Sequence, residues 1–149
     1  SYTQGTNVTS VPIISTPTTS NTAHLSVIAK KIAGSAPGTL TIYLTTENST
    51  SDALLTSHAL HYTVCEVSCT KTDLSQETKT GYISAKNTAT SGDTTGKLTI
   101  YTGTLKESTT TNANATYHVY FWLDNAAVDE NVVGTLYSGY ISASATQTN

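Results

Sequence analysis

The chain has 149 residues, one domain's worth, a formal net charge of -3 and only 11% charged residues, while about a third of its residues are Ser or Thr. Seven lysines and no arginine leave neither a basic patch for phosphates nor a bidentate guanine reader, so nucleic acid is not expected as a partner. No apolar run approaches the ~20 residues a membrane-crossing helix needs, and a surface rich in hydroxyls and poor in charge suits an extracellular protein.

Thr, Val, Ile and Tyr favour strands, and the Leu, Glu and Lys runs that make helices are nearly missing, so an all-β fold is expected. The chain starts SYTQGTNV and contains no Met, which reads as a mature product after removal of a leader. That polar start also differs from the long apolar N-terminal helix of a type IV pilin.

Residues 1–23 carry Pro12, Pro17 and a small apolar knot, Val8, Val11, Ile13 and Ile14. Proline removes a backbone donor and belongs on edge strands or in linkers, so this segment is expected as an edge strand or a tail, in front of a β-sandwich domain over 24–149. LSVIAKKI over 25–32 puts Leu25, Val27 and Ala29 on one face and Ile28 and Ile32 on the other. SAPGT breaks that strand. Leu40, Ile42 and Leu44 then alternate with Thr41, Tyr43 and Thr45, and the apolar face should be buried. Ala53 to His61 is the one place for a short helix, with Ser51 or Asp52 as cap. Leu60, Tyr62 and Val64 resume a strand that runs into Cys65, and TKTDLSQET reads as polar connection. Gly81 to Ala85 and Lys97 to Leu105 are further strands, the latter alternating Leu98, Ile100 and Thr102 with Tyr101 and Gly103.

The stretch from Thr116 to Gln147 holds the only Trp, the only Phe and four of the nine Tyr residues. Its first run places Tyr117, Val119, Phe121 and Leu123 on one face and His118, Tyr120, Trp122 and Asp124 on the other. Because both faces carry aromatics, both should be covered, one by a facing sheet and one by loops, glycans or another subunit. The second run sets Gly139, Ile141, Ala143 and Ala145 opposite Tyr140 and the serines. The pair is expected as neighbouring strands at the centre of the sandwich.

Cys65 and Cys69 are the only cysteines. Extended backbone separates Cα atoms four residues apart by about 13 Å, whereas a disulfide needs about 4.4–6.8 Å. A bonded pair therefore requires a turn at Val67 and Ser68. An oxidising compartment favours the bond. Free thiols or a two-thiol metal site are the alternatives, although CxxxC lacks the companion ligands of a zinc site.

Asn7, Asn48 and Asn114 head Asn-x-Ser/Thr triplets in expected loops or the tail, making them candidate glycan acceptors or ordinary polar residues. His58 and His61 form an HxxH, and Asp124, Asn125, Asp129 and Glu130 cluster in one connection as a calcium candidate without the strict spacing of a known calcium loop. Lys30 or Lys31 could form an isopeptide bond, as in Gram-positive pilin domains, but nothing marks the partners. The chain has neither GxSxG nor HExxH, so catalysis is not expected.

The C-terminal third combines Tyr117, Val119, Trp122, Leu123 and Asn125 with Gly134, Gly139, Ile141, Ala143, Ala145 and Gln147. On these residues, over about 30 positions, it resembles bacterial surface subunits of the TasA/camelysin kind and archaeal bundling-pilus and thread subunits. The resemblance implies a jelly-roll-like antiparallel β-sandwich of about seven strands, completed by an N-terminal strand donated from another copy. Val8, Val11, Ile13 and Ile14 would be the donated anchors, and Tyr117, Val119, Phe121, Trp122, Leu123 and Ile141 would form core and subunit contact. The implied protein is a pilus or biofilm-matrix fibre subunit at the cell surface, with itself as partner and no cofactor. The rival expectation is a monomeric adhesion or carbohydrate-binding module. A peptidase is a third, since camelysin-like proteins have carried that label.

Overall fold

The computed structural model describes residues 3–8, 11–31, 37–46, 51–84, 97–105, 113–128 and 139–147. Among the described residues nine strands carry the fold: β1 (Thr3–Val8), β2 (Ile13–Ile14), β3 (Ala23–Lys31), β4 (Gly38–Thr46), β5 (Leu60–Glu66), β6 (Thr80–Tyr82), β7 (Lys97–Leu105), β8 (Ala113–Asp124) and β9 (Gly139–Gln147). Seven of them follow residue 23, at the places the alternation patterns mark. One sheet has the order β1-β9-β4-β7; in the other β8 is flanked by β5 and then β6 on one side, and pairs with β3 and the short β2.

The pairings are nested. β5 pairs β6, β4 pairs β7, β3 pairs β8 and β1 pairs β9, all antiparallel, so the chain is one long hairpin whose closing pair is β1–β9. Two further pairings, β4–β9 and β5–β8, roll that hairpin into two sheets, so β8 and β9, expected as neighbouring strands, lie in different sheets, each drawn to its own partner from the first half of the chain. With β3 heading the second sheet, the orders β1-β9-β4-β7 and β3-β8-β5-β6 are those of an eight-stranded jelly roll.

Alternation decides which side of each sheet faces in. Leu40, Ile42 and Leu44 of β4 and Ile141 and Ala143 of β9 meet Val27 and Ala29 of β3, Leu60 and Val64 of β5, and the Tyr117, Val119, Phe121 and Leu123 face of β8 in one buried cluster. The helix α1 (Asp52–Thr56) joins β4 to β5, that is one sheet to the other, and turns Leu54 and Leu55 into the same core. It is shorter than the 53–61 window, because His58 takes a left-handed backbone (φ 59) and Leu60 already pairs with Leu123.

β7 departs from simple alternation. A register shift against Ile42 and Tyr43 leaves both Ile100 and Tyr101 buried, and Leu98 is 37% exposed. The Tyr101 ring lies back over Gly103, where a β-carbon would collide with it, so this strand position requires glycine.

Residues 1–23, expected as edge strand or tail, supply a strand to each sheet. β1 lines the edge of β9, with Thr6 opposite Ile141 and Val8 opposite Gly139. β2 runs parallel to the end of β8, and just before it the Pro12 carbonyl accepts a 2.7 Å bond from the Leu123 amide. Pro12 thus serves as an acceptor at an edge, where its missing N–H costs nothing. Among the described residues no helix is long and apolar enough to cross a membrane.

Candidate functional site

Two places in the fold hold chemistry or contacts beyond packing: the β1–β9 seam and the outer face of the β8 sheet. The four expected anchors divide between the sheets. Val8 belongs to β1; Val11 packs against the main core, while Ile14 packs against a second cluster on the outer face and Ile13 is 47% exposed. In this single chain, Val8 and Ile14 therefore belong to strands of different sheets.

The outer face of β8 is covered by the chain's own loops. Cys65, Leu74, Tyr120 and Trp122 form the second cluster, with Ile14 and Cys69 packed on it. Trp122 is only 2% exposed, so it is core, not a free contact for a neighbouring subunit. The covering loop is held by specific bonds. The Asp73 carboxylate accepts from the Ser75 amide (3.0 Å) and hydroxyl (2.6 Å), capping a short 3-10 turn over Leu74–Gln76. Buried Thr63 donates to the Leu74 carbonyl at 2.8 Å, and the Leu74 amide donates to the Pro17 carbonyl at 2.9 Å. Glu77 accepts from the amides of Thr70 and Lys71, both at 2.6 Å. The stretch expected as polar connection is thus a cover for β8, and its readable signal is the lone leucine within an Asp-x-Ser cap.

Cys65 and Cys69 are disulfide-bonded, with Cα atoms 5.0 Å apart. The chain turns at Val67 and Ser68 as that closure demands, with Val67 at φ 64 and its amide bonded to the Thr116 carbonyl at 2.8 Å. The pair with Glu77 is the one group of three metal-type ligands among the described residues, and its sulfurs are consumed by their mutual bond.

Beside this loop, an open cleft of about 640 Å³ lies between residues 18–20 and 67–72, with His118 and Tyr120 among its lining. Thr18, Ser20, Ser68 and Lys71 add hydroxyls and one ammonium. The wall at 16–22 is fixed by Asn21, whose side chain accepts from the Thr18 amide (2.7 Å) and donates to the Thr16 carbonyl (3.0 Å).

All four histidines of the chain lie on or beside this outer face. The HxxH pair packs on aromatic rings: His58 stacks on Tyr82 at 4.3 Å, and His61 lies tilted to the same ring at 6.1 Å and stacks against Trp122 at 5.7 Å. His61 also stands 3.9 Å from Asp124, whose other carboxylate oxygen accepts from the Ala126 amide, so that acid is already engaged. Two histidines 94 positions apart do converge: His24 Nε2 and His118 Nδ1 are 2.8 Å from each other. Burial first, and His118 second, hold His24 below the ordinary imidazole value. Burial pushes the neighbouring Tyr120 phenol up.

Of the remaining candidates, Asn7 and Asn114 lie in β1 and β8, not in loops. Asn48, Asp129, Glu130 and Gly134 fall outside the described residues. Lys30 is exposed on β3, opposite Asn114 in the register of an edge pairing. Compared with protein-family models, curated proteins and solved structures, the chain matches none of them.

Proposed function

We propose that the protein is a structural subunit of an extracellular filament, assembled head-to-tail by exchange of β1 between copies, with no catalytic step. One observation carries this reading: β1 is the closing arm of the nested hairpin and, among the described residues, pairs only with β9, so it can leave without breaking any other described strand pair. Its departure leaves a jelly roll lacking its first strand and bares the backbone donors and acceptors of β9, which the β1 of a second copy would satisfy with the same ladder. Donating and accepting surfaces differ, so the contact propagates as a fibre and need not close into a ring. The TasA/camelysin-like pattern and the disulfide support the same reading, the latter because such bonds persist in oxidising compartments.

The exchanged element in this proposal is Thr3–Val8, while Val11 and Ile14 hold their own subunit's core and mark where the donated arm begins. Deleting residues 1–8 tests it. The full chain should form fibres visible by negative-stain microscopy, and the truncated chain should stay folded yet remain monomeric. Fibres that survive the deletion, or a full chain that never polymerises, would overturn the reading.

The cleft beside His118 and Tyr120 favours a second reading, a monomeric module binding a hydroxyl-rich solute such as a glycan. Its discriminating feature is indifference to the N-terminus: the truncated chain would retain its ligand.

A further inference from the structure

The geometry points to a divalent transition-metal site formed by His24 of β3 and His118 of β8, independent of the assembly reading. His24 stands opposite Tyr120 and His118 opposite Ser26, so the two imidazoles are diagonal neighbours on one face of an antiparallel pair. Their ring centroids are 5.0 Å apart with planes 28° from each other, and the nearest nitrogens are 2.8 Å apart. That combination means the rings meet edge to edge, nitrogen facing nitrogen, rather than face to face.

The backbone thus fixes two neutral-imidazole donors at nearly the spacing a metal requires. With metal–nitrogen bonds of about 2.0 Å, adjacent positions of a square or octahedral ion place two nitrogens roughly 2.8–2.9 Å apart, and tetrahedral positions about 3.3 Å. The observed 2.8 Å is that of an N–H···N hydrogen bond between the rings and places the two nitrogens within reach of one ion; copper(II) and nickel(II) are ions for which imidazole is a suitable ligand. The rings need only swing so that both lone pairs converge, His24 being exposed and His118 half-buried. The ring that now donates shifts its proton to its other nitrogen, so both stay neutral and no proton is released. Tyr120 stacks on His24 at 4.7 Å and restricts its rotation, as a supporting neighbour should. His118 also lines the cleft. His58 and His61, the other two histidines of the chain, stack on Tyr82 and Trp122 and make the natural control.

Copper(II) added in equal amount to the intact protein, followed by electron paramagnetic resonance, tests this directly. The expected result is a tetragonal spectrum with hyperfine structure from two imidazole nitrogens. His24→Ala and His118→Ala should each remove the two-nitrogen signature, and His58→Ala with His61→Ala should leave it intact. A signature that survives both single substitutions, or disappears only in the His58/His61 variant, overturns the assignment. Because all four rings lie on the surface side of the sheet, circular dichroism of each variant should match the parent and rule out misfolding as the cause of a loss.

Discussion

The Tyr101 hydroxyl donates to a Glu66 carboxylate oxygen at 3.4 Å, linking β7 of one sheet to β5 of the other. Burial, then the neighbouring Tyr117 and Glu66, push the Tyr101 phenol up to about 12. The folded state therefore favours the neutral phenol more than the unfolded chain does, whose tyrosines titrate near 10. Its stabilisation is complete below about pH 10 and fades as pH rises from there through about 12. Denaturant midpoints measured across that interval should fall, and Tyr101→Phe should flatten the fall. Tyr62, Tyr117 and Tyr120 are raised in the same direction by burial, so tyrosinate absorbance should appear late in the folded protein.

Val67 closes the Cys65–Cys69 loop with a positive φ of 64, a conformation that crowds a β-branched residue, and its side chain is 67% exposed. Left-handed backbone costs a non-glycine residue roughly 1–2 kcal/mol, and part of that is returned when glycine's extra unfolded freedom is counted. Val67→Gly should therefore stabilise the protein by about 0.5–1 kcal/mol. Replacing both cysteines by serine acts the other way: so short a loop is worth only roughly 2 kcal/mol, and the variant should still fold. Thermal melts of the two variants would read opposite shifts.

Leu74 is fully buried beneath its own 3-10 turn, against Tyr120 and Trp122. Leu74→Ala should cost about 2–5 kcal/mol through lost burial and the cavity left behind. The only tryptophan makes the change visible, since water reaching Trp122 shifts its emission to longer wavelength. A variant that loses stability without that shift would mean the loop still covers the ring.

These residues also show what alternation can and cannot reveal. Period two is local, so the inward faces of β4 and β8 were legible from a few residues, as was the turn that the Cys65–Cys69 spacing forces. β7 misled because a one-residue bulge against β4 inverts the pattern partway along. The nesting of strand pairs is a long-range property that no window contains. The same applies to the histidines: HxxH stood out because its members are close in sequence, whereas His24 and His118 meet only through the β3–β8 register. Leu74 escaped because a single apolar residue in a polar run carries no period, although the cap before it was readable.

The exchange of β1 can be tested without deleting anything, by asking which copy supplies the strand beside β9. Asn7 and Tyr140 stand opposite each other in the antiparallel register. Such partners hold Cα atoms about 4.5–5.5 Å apart, within the range of a disulfide. Asn7→Cys with Tyr140→Cys, oxidised after assembly and run on a denaturing gel without reductant, converts strand ownership into mass. Exchange joins each subunit covalently to the next and should give a ladder of multimers, collapsing to monomer on reduction. A β1 that stays on its own sheet gives a monomer only, faster-moving than the reduced chain because it is looped. Oxidising the same variant before assembly should trap that looped monomer and prevent polymerisation, since the arm a neighbour needs is then tied down. Fibres that grow normally from the trapped monomer would remove strand exchange as the basis of assembly, whatever other contact holds the copies together.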